Sequence, residues 1–148
     1  MQKISTFLWF EKDAEEAAKF YVSIFKNSKV LSIMPGPSGT VMGVSFELEG
    51  QEFKALNGGP QFKFTPAISL FVNCESQAEV DELWQRLTAG GGKPGRCGWL
   101  TDKYGLSWQI VPTVLGELMR GKSGGKVMNA LMNMDKLEID ALKRAANE

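Results

Sequence analysis

Histidine is absent from all 148 residues, which removes the commonest general base and the commonest transition-metal ligand. Any chemistry must then come from carboxylates, Lys, Tyr, Cys or backbone groups, or from the ligand itself. Cysteine is nearly as scarce. Cys74 and Cys97 are the only two, and in a reducing compartment they are expected to stay thiols rather than form a structural disulfide. An excess of one charge is lacking too: 17 Lys and Arg balance 17 Asp and Glu, and no basic run supplies the electrostatic footprint of a nucleic-acid binder. No apolar run approaches the roughly 18 residues of a membrane span. Glu11 and Asp13 fall where a signal peptide would still be hydrophobic. The expectation is a cytoplasmic protein with neither a nucleic-acid nor a membrane partner.

What the chain does have is a repeat. The apolar run Ile4 to Phe10 reads as a buried strand, and Asp13-Ala14-Glu15-Glu16 has the Asp-x-x-Glu pattern of a capping box. Ala17, Phe20, Tyr21 and Ile24 then fall at i, i+3, i+4 and i+7, one stripe of a helix that Asn27 can stop. The same grammar returns 63 positions later: strand Ala67 to Val72, box Ser76-x-x-Glu79, and Val80, Leu83, Trp84 and Leu87 at the same helical spacing. Aligned without a gap, the copies set Thr6 against Ser69, the mark of an internal duplication. Short strands follow each helix. In the first half they are Val30 to Met34, Val41 to Leu48 and Glu52 to Asn57; in the second, Cys97 to Thr101 and Leu106 to Val111, where a third strand is not legible. Each half therefore reads as βαβββ, with module one over about 1–60 and module two over about 61–112.

Beyond Pro112 the pattern turns helical: Val114 to Arg120 with Gly121 as a stop, Lys126 to Met134, and Lys136 to Ala146 opened by Asp135-x-x-Glu138. This tail, 113–148, holds Met119, Met128, Met132 and Met134, flexible fillers of irregular apolar contacts. It is expected to pack on its own domain, with a dimer contact as the alternative. Gly90-Gly91-Gly92 follows a helix, whereas a phosphate-cradling loop follows a strand and opens a helix. The order of elements needed for an S-adenosylmethionine-binding Rossmann domain is likewise missing.

The run Cys97 to Pro112 (CGWLTDKYGLSWQIVP) resembles the final hairpin of the PhnB-like branch of the vicinal oxygen chelate superfamily, often labelled 3-demethylubiquinone-9 3-methyltransferase-like. Phe7-Leu8-Trp9-Phe10, Ala55-Leu56-Asn57-Gly58-Gly59-Pro60, Ala67 to Val72 and Lys126 to Leu131 agree with it, so the resemblance spans nearly the whole chain. It implies an α+β fold in which two βαβββ modules form a cupped mixed-sheet half-barrel, here followed by a C-terminal helical tail. It also implies a homodimer.

Many members of the superfamily hold one divalent metal in the cup. Laid on this chain, their ligand positions fall on Thr6, Ser69, Gln109 and either Asn57 or Ala55. All are neutral, while divalent cations want carboxylate, imidazole or thiolate. No metal and no other cofactor is expected.

Strand alternation puts Thr6, Leu8 and Phe10 on one face with Ser69 and Phe71, and Ser107, Gln109 and Val111 on the matching face of the last strand. With Ala55 and Asn57, these are the candidate lining of a pocket for a small apolar or aromatic metabolite, unless bulky side chains fill it. Binding and turnover stay open, as does a structural or regulatory dimer. A metal-dependent lyase, isomerase or dioxygenase of the superfamily is the enzyme alternative. Acid or base candidates are Glu47, Glu49, Glu52 and Tyr104. Cys97 lacks a histidine to activate it and is expected to be idle, and Asp102 and Lys103 read as turn chemistry.

Overall fold

Bulky apolar side chains on both faces drive Thr6–Phe10 into the strand β1. A helix, α1 (Ala14–Ile24), follows, then an antiparallel meander of β2 (Lys29–Pro35), β3 (Val41–Leu48) and β4 (Gln51–Asn57). The computed structural model describes residues 2–148 and divides the chain into two units, one ending at Phe64 and the other running from Thr65 to Glu148. In the first unit the strand order is β1-β4-β3-β2, with β1 parallel to β4. Thr6 pairs with Phe53 and Leu8 with Ala55. The edge strand β2 slips register against β3 between Val30 and Ser32 and again between Met34 and Pro35.

The second unit repeats the plan with β5 (Ser69–Cys74), α2 (Gln77–Thr88), β6 (Lys93–Pro94), β7 (Trp99–Thr101) and β8 (Ser107–Pro112), ordered β5-β8-β7-β6. The strand not legible in the sequence is β6. It is two residues long and contains a proline that cannot donate to the ladder. The described residues thus form two four-stranded mixed sheets and five helices in an α+β fold. Neither sheet closes on itself.

The helical stripes lie where their spacing placed them. Ala17, Tyr21 and Ile24 are buried on α1, where Phe20 of the same stripe is only partly buried, and Val80, Leu83, Trp84 and Leu87 are buried on α2. Tyr21 packs toward Phe46, which stacks on Phe53 at 5.4 Å between ring centroids. Burial of this size contributes about 1.5–3 kcal/mol per large side chain.

The two caps differ. Ser76 accepts the backbone N–H of Glu79, and Glu79 accepts that of Glu75, close to the expected box. Asp13 makes no side-chain cap bond; the N–H of Ala14 donates instead to Asn57 Oδ1 at 2.8 Å. The box expected at Asp135 is not formed either, since α5 starts later.

The tail forms α3 (Val114–Arg120), α4 (Gly124–Met132) and α5 (Ile139–Ala146). Val111 of β8 is buried with Val127, Leu137 and Leu142, and Met119 and Met134 pack on that cluster. Met128 and Met132 stay exposed. Polar contacts fasten the crossing before α5: Gln77 binds the Leu137 carbonyl and the Ile139 N–H, and the N–H groups of Cys97 and Gly98 donate to the carbonyls of Met134 and Asp135. Among the described residues no helix is long and apolar enough to cross a membrane.

Candidate functional site

In each unit the helix covers one face of the sheet and leaves the other open. The covered face of the first sheet carries Leu8, Phe10, Val44, Phe46, Phe53 and Ala55, all buried. The strand faces are therefore reversed in the first module relative to the sequence expectation. Leu8 and Phe10, each 4% exposed, and Ala55 are core residues beneath α1, and Thr6 shares their face. Asn57 also belongs to that side, where Oδ1 caps α1 and Nδ2 donates to the Val41 carbonyl at 3.0 Å.

The cause is a single residue. Glu11 and Lys12 separate β1 from the Asp13 cap, but only Glu75 separates β5 from the Ser76 cap. An alignment gapless through the helices is therefore one residue out of step in the strands. Matched by which face each residue serves, the counterpart of Ser69 is Ser5, and that of Phe71 is Phe7. Exposure agrees: Phe7 is 58% exposed and Phe71 54%.

Pairing register orders the open face of the first sheet into transverse rows. One runs Phe7, Lys54, Ser45, Ser32, and the next Trp9, Leu56, Gly43, Met34. They surround a hollow of about 230 Å³ lined by Phe7, Ser32, Met34, Met42, Ser45 and Lys54, with Gly43 and Leu56. Gly43 keeps the floor low, because a Cβ there would lie 3.2 Å from the Ala55 carbonyl oxygen. At the end of β1, Trp9 donates Nε1–H to the Gly59 carbonyl at 3.0 Å, and Phe62 meets it edge to face at 4.9 Å.

Of the proposed acid and base residues, Glu52 and Glu47 pair across β4 and β3 in the row beyond Lys54. Glu52 accepts a hydrogen bond from Ser5 Oγ at 3.0 Å. Glu49 sits in the β3–β4 turn at φ 51°, with its N–H bonded to Ser28.

In the second unit the expected faces hold for four of the residues, while Val111 is buried against the tail rather than lining a hollow. Ser69, Phe71, Ser107 and Gln109 lie opposite Trp108 and Ile110, which are buried on the α2 side. Gln109 Nε2 donates to Ser69 Oγ at 3.0 Å, so two residues matched to ligand positions are satisfied by each other. A smaller hollow of about 180 Å³ lies by Pro66, Lys93, Trp99, Thr101 and Ser107.

Asp102 is 2% exposed. It accepts the N–H groups of Tyr104 and Leu106 through Oδ1, and Trp108 Nε1–H through Oδ2 at 2.9 Å. Its carboxylate shapes the turn that feeds β8, and the Tyr104 N–H serves the same turn. Cys74 is buried, and burial with the nearby charges of Glu79 and Glu75 pushes its thiol up to about 12, which leaves it inert at neutral pH.

The donor set does not fit a divalent cation. Taken unit by unit, the equivalent positions are Ser5, just before β1, and Lys54 in the first, a hydroxyl and an ammonium, and Ser69 and Gln109 in the second, a hydroxyl and an amide. Among the described residues no three His, Cys, Asp or Glu side chains group as metal ligands would. Sequence reasoning passed over Lys54, although the alternation Glu52-Phe53-Lys54-Ala55 carried the signal.

Comparison with known proteins gives this fold a family. A family model described as 3-demethylubiquinone-9 3-methyltransferase matches residues 2–111, ending within β8. Among solved structures, a PhnB protein of Bacillus cereus, provisionally described as a 3-demethylubiquinone-9 3-methyltransferase, is 40% identical; the match covers 76% of this chain and 100% of that one, with TM-score 0.71. Protein PA1353 of Pseudomonas aeruginosa is 19% identical over 76% of this chain and 98% of its own, with TM-score 0.62. The fosfomycin resistance protein FosX of Listeria monocytogenes, complexed with Mn(II) and sulfate, is 18% identical over 73% and 89%, with TM-score 0.54. The last two show likeness of fold alone. No functionally curated protein matches. By the family match over residues 2–111 and the 40% identity to a chain covered end to end, this protein belongs to the 3-demethylubiquinone-9 3-methyltransferase family, the PhnB-like branch of the glyoxalase and bleomycin resistance fold.

Proposed function

We propose that this protein binds a small, largely apolar or aromatic organic molecule on the open face of its sheet, without a metal ion. The observation that carries the reading is the hollow beside Phe7. Its wall is apolar, a glycine lowers its floor, and a few hydroxyls and one amine supply polarity, the usual makeup of a small-molecule site. FosX shares the fold and is complexed with Mn(II), but the amide and amine on the central strands here are poor partners for such an ion. Methyl transfer is not part of the proposal, because neither sheet has the strand, glycine turn and helix of a cofactor-binding Rossmann unit.

Turnover is a second reading. Glu47 and Glu52 share the open face with the hollow, one row away, and could move a proton on a bound molecule. Self-association is part of the same proposal: Ile4, Met128 and Met132 expose apolar surface, and a homodimer mass is expected by light scattering at micromolar concentration.

A thermal-shift screen tests the main reading. A panel of aromatic and apolar metabolites should include compounds that raise the melting temperature, since a ligand at a hundred times its Kd adds about 2.7 kcal/mol. Mn(II), Zn(II) and Ni(II) should raise it no more than Mg(II) does. A shift with transition metals alone would overturn the reading.

A further inference from the structure

Lys54 is oddly placed for an ordinary surface lysine. Charged residues on sheets commonly guard an edge, but β4 is an inner strand, paired with β1 on one side and β3 on the other. Phe7 and Ser45 flank Lys54 in its own row, with Leu56 beyond it along the strand. Its counterpart on the inner strand of the second sheet, Gln109, is held by Ser69. Ser5, the counterpart of Ser69, instead donates to Glu52. Among the described residues the Lys54 ammonium has neither an ion pair nor a hydrogen bond. The Ser45 and Ser32 side chains continue the row across the hollow, and their hydroxyls are equally unengaged among the described residues.

We infer that Lys54, with Ser45 and Ser32, receives the acidic group of an anionic amphiphile whose apolar body lies against Phe7, Met34 and Met42. This rests on the binding reading above and names its ligand class: an aromatic or apolar carboxylate, sulfonate or phosphonate. The chemistry is direct. An ammonium at the rim of an apolar hollow gains a charge-assisted hydrogen bond in a partly water-excluded setting, while the hydroxyls supply further donors. Glu47 and Glu52 in the next row repel an anion that strays toward them, which sets its position over the Lys54 row.

Two fluorescent probes with the same ring system separate the possibilities: 8-anilinonaphthalene-1-sulfonate and its neutral twin N-phenyl-1-naphthylamine. Wild-type protein should bind the sulfonate about tenfold more tightly than the neutral probe, with the preference shrinking as salt rises. In Lys54→Gln the two affinities should converge, and Lys54→Arg should restore the difference. Both variants change an exposed side chain, so their melting temperatures should match the wild type. The 13C-methyl NMR signals of Met34 and Met42 should move on adding the sulfonate. A preference that survives Lys54→Gln, or shifts confined to other methionines, would overturn the role of Lys54 while leaving organic binding in place. Failure of both probes to bind would overturn the binding reading itself.

Discussion

Gln109 Nε2 and Ser69 Oγ lie 3.0 Å apart and are joined by a hydrogen bond between the inner and edge strands of the second sheet. Each stands at a position that the superfamily resemblance matches to a metal ligand, and each is engaged by the other. Gln109→Ala should lower stability by about 0.5–1.5 kcal/mol in urea denaturation, the net value of such a bond. It should leave the melting temperature as insensitive to divalent cations as is expected of the wild type.

Asn57 holds α1 in place from across the sheet, with its carbonyl oxygen on the Ala14 N–H and its amide on the Val41 carbonyl. Asn57→Ala should cost about 1–3 kcal/mol, a lost cap plus a lost strand contact. Asp13→Ala should cost a few tenths at most, as Asp13 makes no cap bond. Equal losses in the two variants, measured by chemical denaturation, would contradict this division of labour.

Asp102 satisfies three donors from a buried position. Asp102→Ala strands the Trp108 indole and two backbone N–H groups, and a loss of about 3 kcal/mol or more is expected. Trp108 fluorescence should shift as its hydrogen bond disappears.

The two thiols should react differently. Cys74 is fully buried with its thiol pushed up to about 12, while Cys97 is half-buried. Ellman's reagent at pH 8 should titrate Cys97 in the native protein and reach Cys74 only in denaturant. A Cys97→Ser variant with no native reactivity confirms the assignment.

Asp81 is held below the ordinary carboxylate range, first by the hydrogen bond from Lys136 at 2.6 Å and then by Gln77, while Lys136 is held above its ordinary value, chiefly by Asp81. A depressed carboxylate stabilises the fold above its unfolded value of about 4 and loses that contribution as pH falls through the folded one. A raised lysine stabilises below its unfolded value of about 10.4 and loses it as pH rises through the folded one. Both groups are substantially exposed, so the pair contributes about 1 kcal/mol at most. The stability gap between wild type and Asp81→Asn should therefore be present at pH 7 and narrow as the pH falls below the unfolded value of about 4.

Much of this fold is written in periodicity. The helices of both modules, five of the strands after them and the start of the tail sit within a few residues of where apolar spacing put them, because burial on one face imposes a readable rhythm. The rhythm fails at Phe7-Leu8-Trp9-Phe10, which is apolar on both sides of the strand, so alternation could not say which pair faces α1. The gapless match to the second copy then chose the wrong side, since one extra residue before Asp13 is invisible to a comparison anchored on the helices. Lys54 was lost with that choice. Caps were the other blind spot: Asp13 and Asp135 have suitable spacing, yet Asn57 and Gln77, distant in sequence, reach the helix ends first.

The two register slips in β2 bear on whether its outer edge can template pairing with another molecule. A seven-residue border strand rich in Leu31, Ile33 and Met34, if straight, would offer a neighbouring molecule a ready template for intermolecular pairing. The register shifts at Val30/Ser32 and Met34/Pro35 interrupt that ladder of unpaired amides, whereas β6 escapes the hazard by being only two residues long. Smoothing β2 is thus the change that most directly invites fibrous self-adhesion at high concentration.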